Sequence, residues 1–300
     1  MAGAGSRFAK QGFVDPKPLI SIEGIPMIRL VIENLRPNIE HRFIFICQRT
    51  HLEAYGLGEK LATWAPGSQV IAIDGITEGA ACTVLLAQEW INNPDPLMIA
   101  NSDQYIECDI NQYLAQLNEH QLDGLIMTMT AHDPKWSFVG LADGLATRVV
   151  EKEVISDEAT VGIYNFTSGS DFVNAAQAMI DQNLRVNNEF YVAPAYNQLI
   201  AQGQKIGIFN IGSEAQGMYG LGTPEDLALF LELPICKQAT GALWWKYSRT
   251  AVTGKQPLKR MLSSPLSAHL NWILEPRRIF GIFKANWWLR MILLVREHFP

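Results

Sequence analysis

Cysteine is scarce in this chain. Four residues in 300 (Cys47, Cys82, Cys108 and Cys236) are scattered, and no two form a Cys-x-x-Cys pair. A disulfide framework and a structural zinc site therefore have no support. The six histidines show no His-x-x-x-His spacing, which gives zinc no second route. A basic-then-apolar secretory signal is missing too, so a reducing cytosol is the expected compartment. Charged residues make up only 18%, yet 48% are hydrophobic, which excludes a disordered chain. Internal repeats and low-complexity stretches are absent. Two phosphate-loop signatures also fail. Phe8 stands where Gly-x-Gly-x-x-Gly needs its third glycine, and no Gly-Lys-Ser/Thr follows the glycines.

What is present is unevenly distributed. Residues 234–300 carry 11 Lys/Arg against Glu275 and Glu297, a balance of +9. Residues 1–233 carry −15. The same C-terminal stretch holds five of the eight tryptophans. This step predicts a boundary near Leu233–Pro234, with a main domain over 1–233 and a basic, Trp-rich extension over 234–300.

Within 1–233, strand-sized apolar runs occur at Phe43–Cys47, Val70–Ile73, Leu97–Ala100, Leu125–Met129, Val161–Phe166 and Ile206–Phe209. Helical periodicity lies between several of them. Met27, Ile28, Val31, Ile32 and Leu35 mark one apolar face, with Pro26 suited to the first turn and Pro37 to the stop. Ala80–Ile91 and Phe172–Ile180 show the same period. Thr223-Pro224-Glu225-Asp226 has an N-cap, a proline at the first position and acids that complement the dipole. Such alternation predicts an α/β fold with βαβ units and a largely parallel sheet, whose ligands bind beyond the carboxyl ends of the strands.

The chain opens Gly3-Ala4-Gly5-Ser6-Arg7, and Pro16-Lys17-Pro18-Leu19 follows nine residues later. Two glycines let backbone N–H groups approach an anion closely. A guanidinium binds phosphate with two parallel hydrogen bonds, and a lysine between prolines is a fixed point charge. Gly-x-Gly alone equally suits an ordinary turn. The wider pattern is more specific. Ile22-x-Gly24-x-Pro26-Met27 comes next, then Asn101-Ser102-Asp103, Glu151-Lys152, Ala159-Thr160-Val161-Gly162-Ile163-Tyr164 and Leu221-Gly222-Thr223-Pro224-Glu225. In this order they resemble the sugar-1-phosphate nucleotidylyltransferase family of the bacterial surface-polysaccharide type, over roughly residues 1–233.

The resemblance implies a Rossmann-like, GT-A-like α/β/α sandwich with a mostly parallel mixed sheet, followed here by a C-terminal helical appendage. It implies transfer of NMP from an NTP to a sugar-1-phosphate, or a similar phosphorylated acceptor, with release of pyrophosphate and with Mg²⁺ as cofactor. By the same resemblance, the backbone of Gly3, Ala4, Gly5 and Ser6 cradles the triphosphate. Arg7 and Lys17 neutralise it, Asp103 holds the metal, and Gly79 passes close to the base and ribose. Glu151 and Lys152 meet the acceptor phosphate. Gly162 and Glu189 line the sugar side. Each position also has a plain alternative: Asp103 as a turn cap, 151–153 as a solvated charge run, Gly79 as a helix-start glycine.

Two departures stand out. Family members carry a buried strand before the glycine loop, whereas Met1 here begins almost at the loop. That strand is expected to be missing from this chain, with Met1 internal to a longer protein. Its loss would leave unpaired backbone on two neighbouring strands, each unsatisfied group costing about 1–3 kcal/mol. The second departure is Gly220, where many members place a second metal-binding Asp; one carboxylate with phosphates and water still suffices for Mg²⁺, and Glu225 and Asp226, the other acids nearby, read as helix-start residues.

The tail has no recognised module. Ile279–Val295 would reach about 26 Å as a helix, short of a hydrocarbon core of about 30 Å, and Lys284 and Arg290 interrupt it. A membrane span is not expected. The charge and tryptophans suit an anionic membrane surface at the inner face or an acidic protein partner, and a small helical appendage packed on the main domain or in a dimer contact is the plain alternative. Nucleic acid is set aside for want of a module. Two other functions stay open: a non-catalytic nucleotide-sugar-binding regulatory relative, and a GT-A glycosyltransferase.

Overall fold

The computed structural model describes residues 6–251 and 289–294. Its strands are β1 (Ser21–Ile22), β2 (Ile25–Pro26), β3 (His41–Gln48), β4 (Gln69–Ile73), β5 (Leu97–Asn101), β6 (Gln104–Ile106), β7 (Gly124–Thr130), β8 (Ser137–Ala142), β9 (Leu145–Glu151), β10 (Glu158–Phe166), β11 (Ile206–Glu214), β12 (Gly217–Gly220) and β13 (Leu289–Leu294). The helices are α1 (Ser6–Lys10), α2 (Met27–Asn34), α3 (Arg49–Tyr55), α4 (Leu57–Trp64), α5 (Ala80–Leu85), α6 (Gln88–Ile91), α7 (Ile110–Glu119), α8 (Gly169–Asp181), α9 (Tyr196–Ala201), α10 (Pro224–Glu232) and α11 (Pro234–Ala251).

The main sheet runs β4-β3-β13-β5-β10-β7-β11-β12-β6, with the β8–β9 hairpin branching from β10. From β4 to β12 only β10 is reversed. All six expected strand runs fall inside β3, β4, β5, β7, β10 and β11. Strand alternation sorts their side chains onto two faces. Phe43, Phe45, Cys47, Met98 and Ala100 join the buried faces of α2, α4, α7 and α10. Ile44, Ile46, Leu97 and Ile99 join α5, α6, α8 and α9. The result is the α/β/α sandwich with a mixed sheet that the resemblance implies.

Local chemistry accounts for the ends of the elements. Thr223 Oγ1 accepts from Asp226 N at 3.1 Å, and Pro224 opens α10. Asp109 caps α7 by accepting from Asn111 N at 2.9 Å. Two expectations differ in detail. Ala80–Ile91 is not one helix, because Leu86 and Ala87 bond back by three residues and divide it. Pro26 ends β2 and precedes α2 rather than sitting in its first turn.

The largest difference concerns the missing strand. The two strands that would be left unpaired are β3 and β5, and β13 lies between them, parallel to both. Leu289–Leu293 pairs with His41–Phe45, and Arg290–Leu294 pairs with Leu97–Asn101. Expected only as part of an appendage, residues 289–294 are a strand at the heart of the sheet. The five-residue apolar run Met291–Val295, inside the longer Ile279–Val295 stretch, is strand-sized. The composition step at Leu233–Pro234 falls between α10 and α11, and Trp244 of α11 donates Nε1–H to Glu23 O at 3.2 Å. No helix among the described residues is long and apolar enough to cross a membrane.

Candidate active site

The carboxyl edge of β5 carries Asn101, Ser102 and Asp103. Asp103 Oδ2 accepts a charged hydrogen bond from Lys17 Nζ at 2.6 Å, the side chains being 11% and 5% exposed. Lys17 opens a single 3₁₀ turn, Lys17–Leu19, between Pro16 and Pro18, and this stiff segment holds the ammonium there. Leu221 N donates to Asp103 O at 2.8 Å, which brings the 220–222 turn onto the pair. A methyl group at Gly222 would stand 3.0 Å from Asp103 Oδ2 and 3.7 Å from Lys17 Nζ. A methyl group at Gly220 would stand 3.2 Å from Asp226 Cγ and 3.3 Å from its Oδ2. Two carboxylates thus approach one turn because two glycines leave it open.

Arg7 lies on α1. Glu225, at the start of α10, is held below the usual carboxylate range, first by the backbone N–H at its own position, then by Gln11 and Arg7. Gln11 Nε2 donates to Glu225 Oε1 at 2.7 Å. Lys17 thus meets Asp103 directly, while Arg7 is tied to the start of α10 through Glu225. Gly3, Ala4 and Gly5 lie outside the described residues, and Ser6 is described only as the start of α1.

Gly162 is the link toward β10. It sits at φ +81° in the irregular stretch between Thr160 and Tyr164, whose hydroxyls bond at 3.0 Å across it. A Cβ there would fall 2.0 Å from Asn101 Nδ2. The missing side chain makes room for Asn101, whose motif the sequence shows but whose pairing with Gly162 it does not. Close Gly–Asn pairs of this kind need tertiary register and carry no sequence spacing of their own.

A second group gathers around the 185–191 segment. Gly79, at φ +127°, faces the main chain of Phe190, whose N and O would each lie 2.5 Å from a Cβ. Phe190 N donates to Glu78 O at 2.8 Å, and Ala81 N to Phe190 O at 2.9 Å. Arg185 pairs with Glu78 at 2.5 Å and covers the Phe190 ring at 4.3 Å. Glu189 belongs to the same segment, joined to Val186 by a backbone bridge. Next along the chain, Tyr191 meets Lys152 Nζ, 5.6 Å from its ring centre. Lys152 has φ +59° and donates N–H to Trp136 O at 2.9 Å. That left-handed turn after β9 separates two residues expected to act together. Glu151 is only 4% exposed and accepts from Ser137 Oγ, so it is turned into the hairpin while Lys152 turns out.

Residues 1–211 match a family model described as nucleotidyl transferase. The chain belongs to this family. It is therefore a transferase by family, and its fold recurs in solved structures. A nucleoside-diphosphate-sugar pyrophosphorylase from Vibrio cholerae is 22% identical with TM-score 0.66, the match covering 78% of this chain and 98% of that one. A UDP-glucose pyrophosphorylase complexed with UDP-glucose is 16% identical with TM-score 0.60, over 82% and 96%. An inositol-1-phosphate CTP transferase from T. maritima is 13% identical with TM-score 0.56, over 80% and 92%. At these identities the structures show a shared fold. No curated protein matches the sequence.

Proposed function

We propose that this nucleotidyltransferase moves NMP from an NTP to a sugar-1-phosphate, or a similar phosphorylated acceptor, and releases pyrophosphate. The observation that carries this is the Lys17–Asp103 contact at the carboxyl edge of β5, with the 220–222 turn closed over it. An ammonium and a carboxylate fixed side by side suit a triphosphate and its counter-cation. The V. cholerae neighbour, a nucleoside-diphosphate-sugar pyrophosphorylase, supports the substrate class.

In the reaction an acceptor phosphate oxygen attacks the α-phosphorus in line, and the bond to the β-phosphate breaks. Positioning and charge neutralisation do most of such work. Lys17 and Arg7 neutralise the departing pyrophosphate, with the backbone of 3–6 as its cradle. Lys152 receives the acceptor phosphate, and Glu151 holds the end of β9 so that Lys152 keeps its left-handed turn. Gly162 and Glu189 border the acceptor, and Gly79 sets the loop beside the base by its contact with Phe190.

Magnesium is the proposed cofactor, and the donors fit it. Asp103 and Asp226 supply hard oxygen, and Mg²⁺ is usually held by one or two carboxylates with substrate phosphates and water completing the shell. Among the described residues no group of three or more His, Cys, Asp or Glu could hold a metal ion. When bound, the ion would neutralise charge on the phosphate oxygens. The activated product would serve surface-polysaccharide assembly in the cytoplasm. The +9 tail would approach an anionic membrane face or an acidic partner.

The test incubates folded protein with each of the four NTPs and a panel of phosphorylated sugars and polyols, with Mg²⁺, and measures pyrophosphate. Release with one pair, lost in Asp103→Ala, is expected. No release with any pair would sink the proposal.

A further inference from the structure

Strand β13 reaches its place from far along the chain. Its partners lie at 41–45 and 97–101, while residues 252–288 separate it from α11. Adjacent strands are about 4.8 Å apart, so β3 and β5, with β13 between them, stand about 10 Å apart and do not pair with each other. Phe43–Cys47 and Leu97–Ala100 are buried on both faces. They therefore form two rails of backbone donors and acceptors that only an inserted strand satisfies. All other strands of the main sheet come from residues 41–220, and both helical layers from within 6–251. Among the described residues the longest-range strand pairing is thus made by one short segment, 289–294. Long-range pairings form late, because loop closure must precede their reward.

The slot also touches the site. Leu294 pairs with Asn101, whose side chain faces Gly162, and two residues later Asp103 meets Lys17. Insertion of β13 fixes the strand end from which these groups project.

We propose that residues 289–294 are a separately docking strand, and that the slot between β3 and β5 is a binding site for an extended apolar segment, filled by this chain's own C-terminus. This is donor-strand complementation: main-chain hydrogen bonds provide affinity, and alternate side chains provide selectivity. Docking is coupled to the nucleotide edge, so a ligand there holds the strand in. Only this coupling rests on the proposed function.

The experiment begins with the full chain carrying a protease site inserted within 252–288. The protein is folded, then cut. Native mass spectrometry and hydrogen exchange follow the amides of 43–46 and 98–101. The fragment is expected to stay bound, with protection unchanged. Excess isotope-labelled peptide of residues 283–300 should replace it over hours, while the same peptide with Ile292→Pro should not, since proline removes a ladder donor. Each NTP with Mg²⁺ is added in turn, and one should slow replacement at least threefold. Release of the fragment with those amides still protected would overturn the assignment of the slot. A bound fragment that never exchanges short of global unfolding would overturn separate docking. A dimer in which each cut fragment stays with the partner copy would overturn filling by the chain's own end. Pyrophosphate release without any nucleotide effect on replacement would overturn the coupling alone. Absence of both nucleotide effect and turnover would count against the function, and strand exchange would still stand or fall by itself.

Discussion

Lys17→Met tests the center of the site most directly. The Lys17–Asp103 contact is 2.6 Å between nearly buried groups. At an effective dielectric of about 20, the charge–charge attraction at that distance is roughly 6 kcal/mol. Desolvation of both ions offsets much of it, so the net value of the pair is far smaller. Removing one partner is different, because the other charge stays buried and unpaired. Lys17→Met should therefore cost about 3–5 kcal/mol, and Asp103→Asn a similar amount. The double variant should lose much less than the sum, with a coupling of about 2–3 kcal/mol. Urea unfolding in EDTA, at low salt and again at 0.5 M NaCl, measures this, and salt should change the coupling little because the pair is shielded from solvent. A coupling below about 0.5 kcal/mol would refute the contact. In the same proteins, loss of one preorganised charge should lower kcat/KM by roughly 10²–10³-fold. A catalytic loss without coupling would mean that the two groups work apart.

Other outcomes follow from single observations. Gly79→Ala must adopt a backbone conformation nearly restricted to glycine and push on Phe190, so it should lose about 3 kcal/mol or more in urea melts; an unchanged midpoint would contradict the contact. Thr223→Ala removes the α10 cap and should cost about 1 kcal/mol, whereas Thr223→Ser should not. Lys152→Ala should raise KM for the phosphorylated acceptor while leaving NTP affinity, read by calorimetry, within about twofold. All four thiols are pushed up, chiefly by burial, Cys47 to about 11 and Cys108 to about 12. Because the thiolate is the reactive form and these groups lose it in the folded state, the native protein at pH 8 should react with a thiol reagent at least tenfold more slowly than in urea.

The parts of the fold legible in sequence are those whose cause is local. The apolar runs of β3, β5 and β7 are buried on both faces, so they stand out without alternation. Thr223 and Pro224 name the start of α10 by chemistry confined to four residues. The β8–β9 hairpin has a local signal as well. Asp143 and Gly144, at φ +51° and +79°, make the two-residue turn that an Asp-Gly pair favours. The break between α5 and α6 and the place of β13 were not legible, because both depend on what packs alongside. In the site, Lys17 and Asp103 are 86 positions apart and yet readable as a pair of roles, since each sits in a short motif. Glu151 shows the opposite limit. Its neighbour Lys152 carries the same motif, but strand alternation and one left-handed residue send the two side chains different ways.

Gly220 was expected to remove a carboxylate from the site, and the geometry changes what that loss means. The space a side chain at 220 would enter is occupied by Asp226, whose Cβ, Cγ and Oδ2 all lie within 3.4 Å of the ideal Cβ position. Gly222 does the same for Asp103 and Lys17. A larger residue at either place would push a carboxylate away, so the glycines and the acids form one arrangement. Asp226 reaches the turn from the first helical turn of α10, where Thr223 fixes its backbone. Its carboxylate is thus doubly placed, by a capped helix start and by an absent side chain. Gly220→Asp would put two carboxylates into one space, where like charges repel and one tends to stay protonated. Restoring an acid at 220 should therefore weaken the site while Asp226 remains, and be tolerated once Asp226 is alanine.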